Sequence, residues 1–307
     1  MTIDVLVVAG TGIDTTVTVD ALPVSLSDSV GVPPIRDWVA HTGNGYALGL
    51  HTLGLATTFI DMIGDDPQAE LITAAYRRHG LHFDHRVSPA GTPRAVNLVD
   101  ATGRRQSFFD GRHPAELRMP EDLYQPYLDR ARHVHMSIMN INRDMYDASG
   151  ASSSTDLHDW DGHNPHHEHY ALRSELVFLS AAALGDRRDA VMRRILTDGR
   201  AHTVVATDGG NGCFVAREAT PVTHFPAIRP DRDLAGLDGW QGWSSVDSNG
   251  AGDAFGSGFL SHHLAGAPLE ECVTAGMVAG AFACRSAGTH TEFIDAGTLR
   301  RACDALR

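Results

Sequence analysis

The segment between residues 246 and 258 has the residue types of an anion-binding loop that carries an acid. It reads Val-Asp-Ser-Asn-Gly-Ala-Gly-Asp-Ala-Phe-Gly-Ser-Gly and leads into a predicted apolar helix over 254–264. Small residues leave backbone N–H groups accessible, and at a helix N-terminus these donors and the helix dipole attract an anion. Asp253 can accept the proton of a hydroxyl group there. The pattern indicates phosphoryl transfer, although a glycine turn with Asp253 as helix N-cap accounts for it equally well.

The composition limits the chemistry of this segment. The 307 residues carry a formal charge of -13, and because the sequence contains no lysine, all 25 basic side chains other than His are Arg. A Walker-A lysine, a Schiff-base lysine and a lysine general base are therefore excluded. The acidic balance argues against nucleic acid or an anionic membrane as a partner, so we expect a small-molecule substrate.

Cysteine spacing and apolar stretches bear on the cellular location. The four cysteines show no CxxC spacing, which favours a reducing compartment. The first nine residues lack a basic region, and no apolar stretch reaches membrane-spanning length. The expected location is the cytoplasm.

The order of apolar runs predicts an α/β fold that positions the loop. A continuous apolar run typical of a strand buried in a parallel sheet occurs at 3–9, and further strands are predicted at 56–63, 133–139, 176–179 and 203–207. Helices are predicted at 45–55, 65–80, 186–198, 254–264 and 273–287. Short runs at 95–99 and 106–109 predict a hairpin, which we place beside an alternating strand at 15–19.

The segment from Asp247 to Asp253 resembles the Asp-Thr-x-Gly-Ala-Gly-Asp signature of the ribokinase (PfkB) family of carbohydrate kinases. The resemblance implies a ribokinase-like three-layer α/β fold with a mostly parallel central sheet and a small β-sheet lid. Residues 1–307 would form a single domain, with the lid inserted from about 14–41 and 92–113. The implied activity is ATP-dependent phosphorylation of a hydroxyl group of a sugar or a sugar-like alcohol.

The same resemblance assigns expected roles to individual residues. Asp253 would be the catalytic base, and the amides of Gly250, Ala251 and Gly252 would form the anion hole. The residues expected to bind the acceptor are Asp14, Gly43, Asn44, Gly45 and Arg94. The residues expected on the nucleotide side are Thr207, Gly209, Gly210, Gly212 and Asp247. The implied cofactors are ATP, Mg²⁺ and, in members that use one, a monovalent cation near Asp247; relatives also suggest a homodimer through the lid.

Three segments depart from the family pattern. Ala40 and His41 stand at the double-glycine positions of the acceptor element, and Gly45 stands at its Asn position, where Asn44 is a candidate replacement. The family's Asn-x-x-Glu, which organises magnesium-bound water, falls on residues 180–183, which read Ser-Ala-Ala-Ala. The segment 155–160 is polar without matching the family's Asp-x-Asn-x-Arg.

Several alternatives stay open from the sequence. A nucleoside kinase would use Tyr46, Phe108 and Phe109 to stack a base. A phosphosugar kinase would clamp its substrate with the lid arginines, namely Arg94, Arg104, Arg105 and Arg112. The altered segments are compatible with a pseudokinase that binds ligands without catalysis. A His-rich and Asp-rich stretch over 156–169 has the residue types of a metal site, although its spacing fits no closed motif.

Overall fold

In the computed structural model, residues 2–148, 150–218 and 220–307 are described, and they form two β-sheets and the helices that surround the larger sheet. The strands are β1 (Ile3–Val8), β2 (Gly12–Val19), β3 (Arg36–Ala40), β4 (Thr57–Ile63), β5 (His82–Val87), β6 (Arg94–Asp100), β7 (Arg105–Asp110), β8 (Ala131–Ser137), β9 (Ser152–Asp156), β10 (Leu176–Ser180), β11 (Thr203–Thr207), β12 (Cys213–Arg217) and β13 (Thr223–Phe225). The helices are α1 (Thr42–Thr52), α2 (Pro67–His79), α3 (Glu121–Leu128), α4 (Pro165–Ala171), α5 (Arg188–Asp198), α6 (Pro230–Asp233), α7 (Ala251–Leu264), α8 (Leu269–Ala283) and α9 (Ala296–Ala305).

The larger sheet has nine strands in the order β13-β12-β11-β10-β9-β8-β1-β4-β5. All strands from β11 to β5 run parallel. At one edge, β12 runs antiparallel to its two neighbours, β11 and β13. Alternate residues of β1 point to opposite faces. Leu6 and Val8 pack in the core with α3, α4 and α5, whereas Val5 and Val7 pack with α1, α2, α7 and α8. The expected three-layer α/β fold is confirmed.

The smaller sheet has four strands in the order β3-β2-β6-β7. Strands β6 and β7 form the predicted hairpin, and β6 lies parallel to β2, which confirms the expected pairing with the alternating strand. Because β2 begins at Gly12, shortly after β1 ends at Val8, the central strand delivers the chain directly into the small sheet. Among the described residues, no helix is both long and apolar enough to span a membrane.

Three helices begin earlier than the sequence predicts, and one of them is α7, which starts at Ala251 and not at residue 254. Helix α1 starts at Thr42, three residues before the predicted start at Gly45. A Cβ atom on Gly43 would lie 2.6 Å from the carbonyl oxygen of Gly10, so glycine here permits close packing inside a helix and does not mark a turn. Helix α8 begins at Leu269 and ends at Ala283, because Pro268 ends the preceding turn and two glutamates favour the first turn.

Candidate active site

A cleft of about 1620 Å³ lies between the small sheet and the carboxyl ends of the parallel strands. Asp156, Ser180 and Thr207, the last residues of β9, β10 and β11, line its floor. Ligands of open α/β sheets bind at this edge of the sheet. Neighbouring strands lie about 4.8 Å apart, so the ends of β11 and β1 are separated by about 19 Å, which leaves room for two reactants side by side.

The cleft meets the N-terminus of α7 at the glycine-rich segment. Gly250 precedes the helix with φ 77°, a left-handed conformation that favours glycine, and no side chain caps the first turn. The Ala251 amide donates to the carbonyl of Ser248 at 3.2 Å. A Cβ atom on Gly252 would meet no atom within 4 Å, so the space over this residue is open to the cleft. The first turn is therefore suited to receive an anion.

Asp247 fastens this loop to the chain that follows α8. One carboxylate oxygen accepts from the Asn249 amide at 2.9 Å, and the other accepts from the Gly288 amide at 3.0 Å. From the small sheet, Arg105 donates to the Asn249 side chain. These contacts fix the glycine-rich loop from both sides and bring one guanidinium group close to it.

Asp253 is held by a histidine that the sequence did not identify. His290 Nε2 lies 2.7 Å from Asp253 Oδ2, and His290 Nδ1 lies 3.1 Å from Asn44 Nδ2. The Asn44 amide also donates to the Val39 carbonyl at 3.0 Å, which fixes the orientation of that amide. Because an NH₂ group only donates, Nδ1 of the neutral imidazole accepts, and the imidazole proton lies on Nε2, where it is donated to Asp253. The pair orients the carboxylate at the mouth of the cleft.

Two glycines make room for His290. A Cβ atom on Gly45 would lie 2.5 Å from His290 Nε2 and 2.6 Å from the Cβ of Asp253. A Cβ atom on Gly250 would lie 2.4 Å from the ring. The imidazole therefore fills the space beside Gly45, which stands at the family's Asn position.

Asp14 lines the same cleft from β2 and is buried. Its carboxylate accepts from Asn97 at 3.0 Å and from the Thr289 hydroxyl at 3.4 Å, and its other oxygen lies 3.3 Å from His41 Nε2. Burial raises the pKa of Asp14, but the hydrogen bond and charge of His41 and the Asn97 amide outweigh burial, so the net pKa lies below its ordinary value. The carboxylate is thus a charged acceptor for ligand hydroxyl groups at neutral pH.

A further buried carboxylate stands on the floor of the cleft. Asp156 accepts from the Tyr46 hydroxyl at 3.2 Å and from the His158 amide at 2.9 Å. Burial raises the pKa of Asp156, and repulsion from the Asp253 charge adds to this effect. Tyr46 is itself fully buried and stacks on His135 at 3.6 Å between ring centroids. This part of the floor is a packed polar network.

The remaining predicted residues differ in position. Thr207, Gly209 and Asp247 line the cleft together with Gly250, Ala251, Gly252, Asp253 and Asp14. The residues that do not line it are Gly43, Asn44, Gly45, Arg94, Gly210 and Gly212. Gly212 has φ 107°, and a Cβ atom there would overlap the Phe225 carbonyl, so this glycine serves the packing of β13. Asn44 acts one contact away from the cleft, through His290.

The donor set does not fit a magnesium ion held by protein carboxylates. Ser180 lines the cleft and Ala183 supplies no ligand, so the family's organising pair is absent from the sequence. In the described ranges, no group of three or more His, Cys, Asp or Glu residues is placed to hold a metal ion. Nucleotide phosphates and water are the ligands left for such an ion.

The histidines over 158–169 contact separate partners. His163 Nε2 lies 2.6 Å from an Arg187 nitrogen, and His166 Nε2 lies 2.8 Å from the Ile138 carbonyl oxygen. His158 lines the cleft beside Thr42, 3.2 Å from its hydroxyl. The described residues of this stretch form no metal-binding group, although His158 and His166 both line one compartment beside the cleft.

Comparisons with known proteins agree with this geometry. A model described as "pfkB family carbohydrate kinase" matches residues 171–296. The acarbose 7(IV)-phosphotransferase of Actinoplanes sp. is 46% identical over 303 residues, which cover 97% of each chain. The chain belongs to the pfkB family of carbohydrate kinases. It phosphorylates a sugar hydroxyl group with ATP.

Solved structures give the same result for the fold. A microbiome-derived acarbose kinase is 42% identical and superposes with a TM-score of 0.90. The aligned region covers 99% of this chain and 100% of that chain. The ribokinase of Thermotoga maritima is 16% identical, with a TM-score of 0.79 over 98% of this chain and 99% of that one. Because its sequence is only 16% identical, the Thermotoga maritima ribokinase supports the fold and says nothing about the substrate.

Sequence reasoning missed His290 and Asn97, although both contact residues that it had selected. Neither residue lies in a motif, and both come close to Asp253 or Asp14 only through tertiary folding. One feature of the sequence did point to such a residue. Gly45 stands where the family has Asn, and the absent Asn side chain leaves a space that another residue has to fill. Nothing local in the sequence indicates that this residue is His290.

Proposed function

We propose that this kinase transfers the γ-phosphoryl group of ATP to a hydroxyl group of acarbose or of a closely related carbohydrate. The observation that carries the proposal is that Asp14 and Asp253 line one cleft beside the uncapped first turn of α7. The acceptor itself is suggested by the 46% identical acarbose 7(IV)-phosphotransferase.

Asp253 acts as the general base in this proposal. Its carboxylate takes the proton of the acceptor hydroxyl, the hydroxyl oxygen attacks the γ-phosphorus, and the bond from that phosphorus to the bridging oxygen of ADP breaks. The amides of Gly250 and Gly252 donate to the equatorial oxygens, where negative charge accumulates in the transition state, and the Ala251 amide has to exchange its contact with Ser248 to join them. His290 keeps the carboxylate turned toward the cleft through its 2.7 Å contact.

The acceptor is oriented by the buried Asp14 and the half-buried His41. The ionised carboxylate accepts hydrogen bonds from sugar hydroxyl groups, which are stronger than bonds between neutral groups. Asn97 and Thr289 hold this carboxylate in position. The nucleotide lies at the other end of the cleft, over Ser180, Thr207 and Gly209. Magnesium, when bound to the nucleotide, neutralises phosphate charge; the monovalent cation at Asp247 and the homodimer through the lid remain predictions.

The two rival acceptor classes have weaker support. A nucleoside kinase would need Tyr46, Phe108 or Phe109 for stacking; Tyr46 is fully buried and engaged with Asp156 and His135, and only the two exposed phenylalanines are accessible to a base. A phosphosugar kinase would need the lid arginines; Arg104 is paired with Asp100 and Arg112 with Asp110, each at 2.7 Å, which leaves Arg105 as the lid arginine that lines the cleft.

An ATP-consumption assay over a panel of acceptors tests the proposal. The panel contains acarbose, fructose, ribose, adenosine and fructose 6-phosphate, each with Mg²⁺. We expect the highest kcat/KM with acarbose and a phosphorylated product detectable by mass spectrometry. Higher turnover of adenosine or fructose 6-phosphate would refute the acceptor assignment, and nucleotide binding without consumption for every acceptor would favour a pseudokinase.

A further inference from the structure

A second compartment opens beside the acceptor end of the cleft. It has a volume of about 560 Å³, within the range of about 300–1,000 Å³ that small-molecule sites occupy. It shares His41, Thr42 and His158 with the main cleft, but neither Asp253 nor the glycine-rich turn lines it. The compartment is therefore continuous with the acceptor position and separate from the position of phosphoryl transfer.

The walls of this compartment are largely apolar. From the small sheet, Phe109 is 70% exposed and packs its edge against His41, with 5.5 Å between ring centroids. On the opposite side stand Ile138, Met139 and Ile141, which follow β8. An exposed aromatic ring on a lid above an apolar wall is a suitable platform for the face of a sugar ring.

The polar side chains that line the compartment are His41, Thr42, Arg112, His113, Ser137, Asn140, His158 and His166. Both ring nitrogens of His113 are buried and lack a hydrogen-bond partner among the described residues. Burial lowers the pKa of His113, so the neutral ring has one donor and one acceptor to offer. Arg112 lines the compartment with its charge paired to Asp110 at 2.7 Å. Neutral donors and acceptors beside an aromatic ring suit hydroxyl groups better than a phosphate.

We propose that this compartment binds a second ring of the acceptor, joined to the ring that is phosphorylated, and that the substrate is consequently a glycoside or an oligosaccharide. The proposal rests on the proposed function, since it takes Asp14 and Asp253 to mark the reacting ring. His41 lines both the cleft and the second compartment. The reacting ring lies on its cleft side, and the second ring lies on its compartment side.

The nucleotide is excluded as the occupant by position. The compartment lies at the ends of β1 and β8, lined by Gly10 and Ser137, whereas Thr207 and Gly209 lie at the end of β11. The glycine-rich turn and Asp14 stand between these two ends of the sheet. A nucleotide with its γ-phosphate over the turn would extend away from the second compartment.

The chain offers a matched pair of variants for the test. Phe108 and Phe109 are adjacent on β7 and are both exposed, and because successive strand residues point to opposite faces, only Phe109 lines the compartment. We expect Phe109→Ala to weaken acarbose binding about tenfold and to leave binding of the single-ring aminocyclitol valienamine within about twofold. Phe108→Ala should change neither. Titration calorimetry measures both ligands, and kcat/KM for acarbose should fall in parallel.

A second variant fills the space. Ile138→Trp, opposite Phe109, should block acarbose and spare valienamine. The inference is overturned if Phe109→Ala affects both ligands equally or neither, or if Phe108→Ala has the same effect on acarbose. Failure of the proposed function looks different: the wild-type enzyme would consume no ATP with acarbose, while the binding measurements would still decide whether the second compartment holds a ring.

Discussion

The two ends of the cleft are built in different ways. At the phosphate end, seven consecutive residues from Asp247 to Asp253 supply the loop, the helix N-terminus and the proposed base, and most of their contacts use backbone groups. At the acceptor end, Asp14, His41 and Asn97 come from three separate segments and act through side chains. A site built from the backbone of one loop leaves a contiguous motif in the sequence. A site built from side chains of separate segments leaves no such motif, and each of its residues can be substituted independently.

The largest effect is expected at the phosphate end. Asp253→Asn keeps the size of the side chain but removes the base, so kcat should fall by about 10²- to 10⁴-fold while the Kd for ATP stays within about twofold. Stopped-assay kinetics and calorimetry measure the two quantities. Asp159→Asn, an exposed carboxylate that lines the same cleft, is the control and should lose little activity. Equal losses in the two variants would show that net charge in the cleft, and not a positioned base, is what matters.

A smaller effect is expected at the acceptor end. Asp14→Asn removes a charged hydrogen-bond acceptor worth about 1.5–3 kcal/mol, so kcat/KM for the acceptor should fall by about 10- to 100-fold with KM for ATP unchanged. Burial raises the pKa of Asp14, but His41 and Asn97 bring it below its ordinary value, so the carboxylate is ionised near neutral pH. The ratio between wild type and variant should therefore be constant from about pH 5 to 8. A ratio that decreased as the pH fell through 6 would contradict the ionised state.

A third set of variants tests the contact between His290 and Asp253. These variants change the two residues that compete for the space beside Asp253, namely His290 and the residue at position 45. His290→Ala removes the hydrogen bond to Asp253 and should lower kcat about tenfold without changing KM for ATP. Gly45→Asn restores the family residue but forces its Cβ to within 2.5 Å of His290 Nε2, and should lower activity at least as much.

The double variant that combines His290→Ala with Gly45→Asn decides between positioning and simple packing. Removing the imidazole relieves the clash with His290 but leaves the 2.6 Å approach of the new Cβ to the Cβ of Asp253, so α1 or α7 has to shift slightly before the amide can donate to Asp253. We expect kcat to return above that of either single variant, a strongly non-additive result. Additive losses would mean that His290 does not act through Asp253. Thermal melts of all three proteins show whether each variant is folded.

The contrast between contiguous and dispersed residues also explains which parts of the fold and of the site could be predicted from the sequence. Strands β1, β4, β8, β10 and β11 were predictable from their apolar residues, and the lid hairpin was predictable from its turn, whereas the parallel strand β5 was missed because it reads His-Phe-Asp-His-Arg-Val. Strand β9 was missed because it reads Ser-Ser-Ser-Thr-Asp. Its buried Ser154 is satisfied by His133 at 2.7 Å and His135 at 2.9 Å on the neighbouring strand, a pairing that only the fold creates. His290 was missed for the same physical reason.

The smallest effect concerns magnesium, and it tests whether the phosphate end depends on backbone donors as strongly as its sequence indicates. The double substitution Ser180→Asn and Ala183→Glu reintroduces the family's pair at the end of β10, next to the nucleotide position. Partners that orient metal-bound water typically change metal affinity by about 10- to 100-fold, so a restored pair in an unadapted site should lower the Mg²⁺ concentration for half-maximal activity by up to about tenfold. Ala182→Glu, on an exposed residue between them that also lines the cleft, controls for added charge. If only the double variant gains, the wild-type enzyme relies on phosphate-bound magnesium and on the amides of the glycine-rich turn. If neither variant gains, or if Ala182→Glu gains as much as the double variant, the family's pair does not orient magnesium-bound water at the end of β10 and the expectation is wrong.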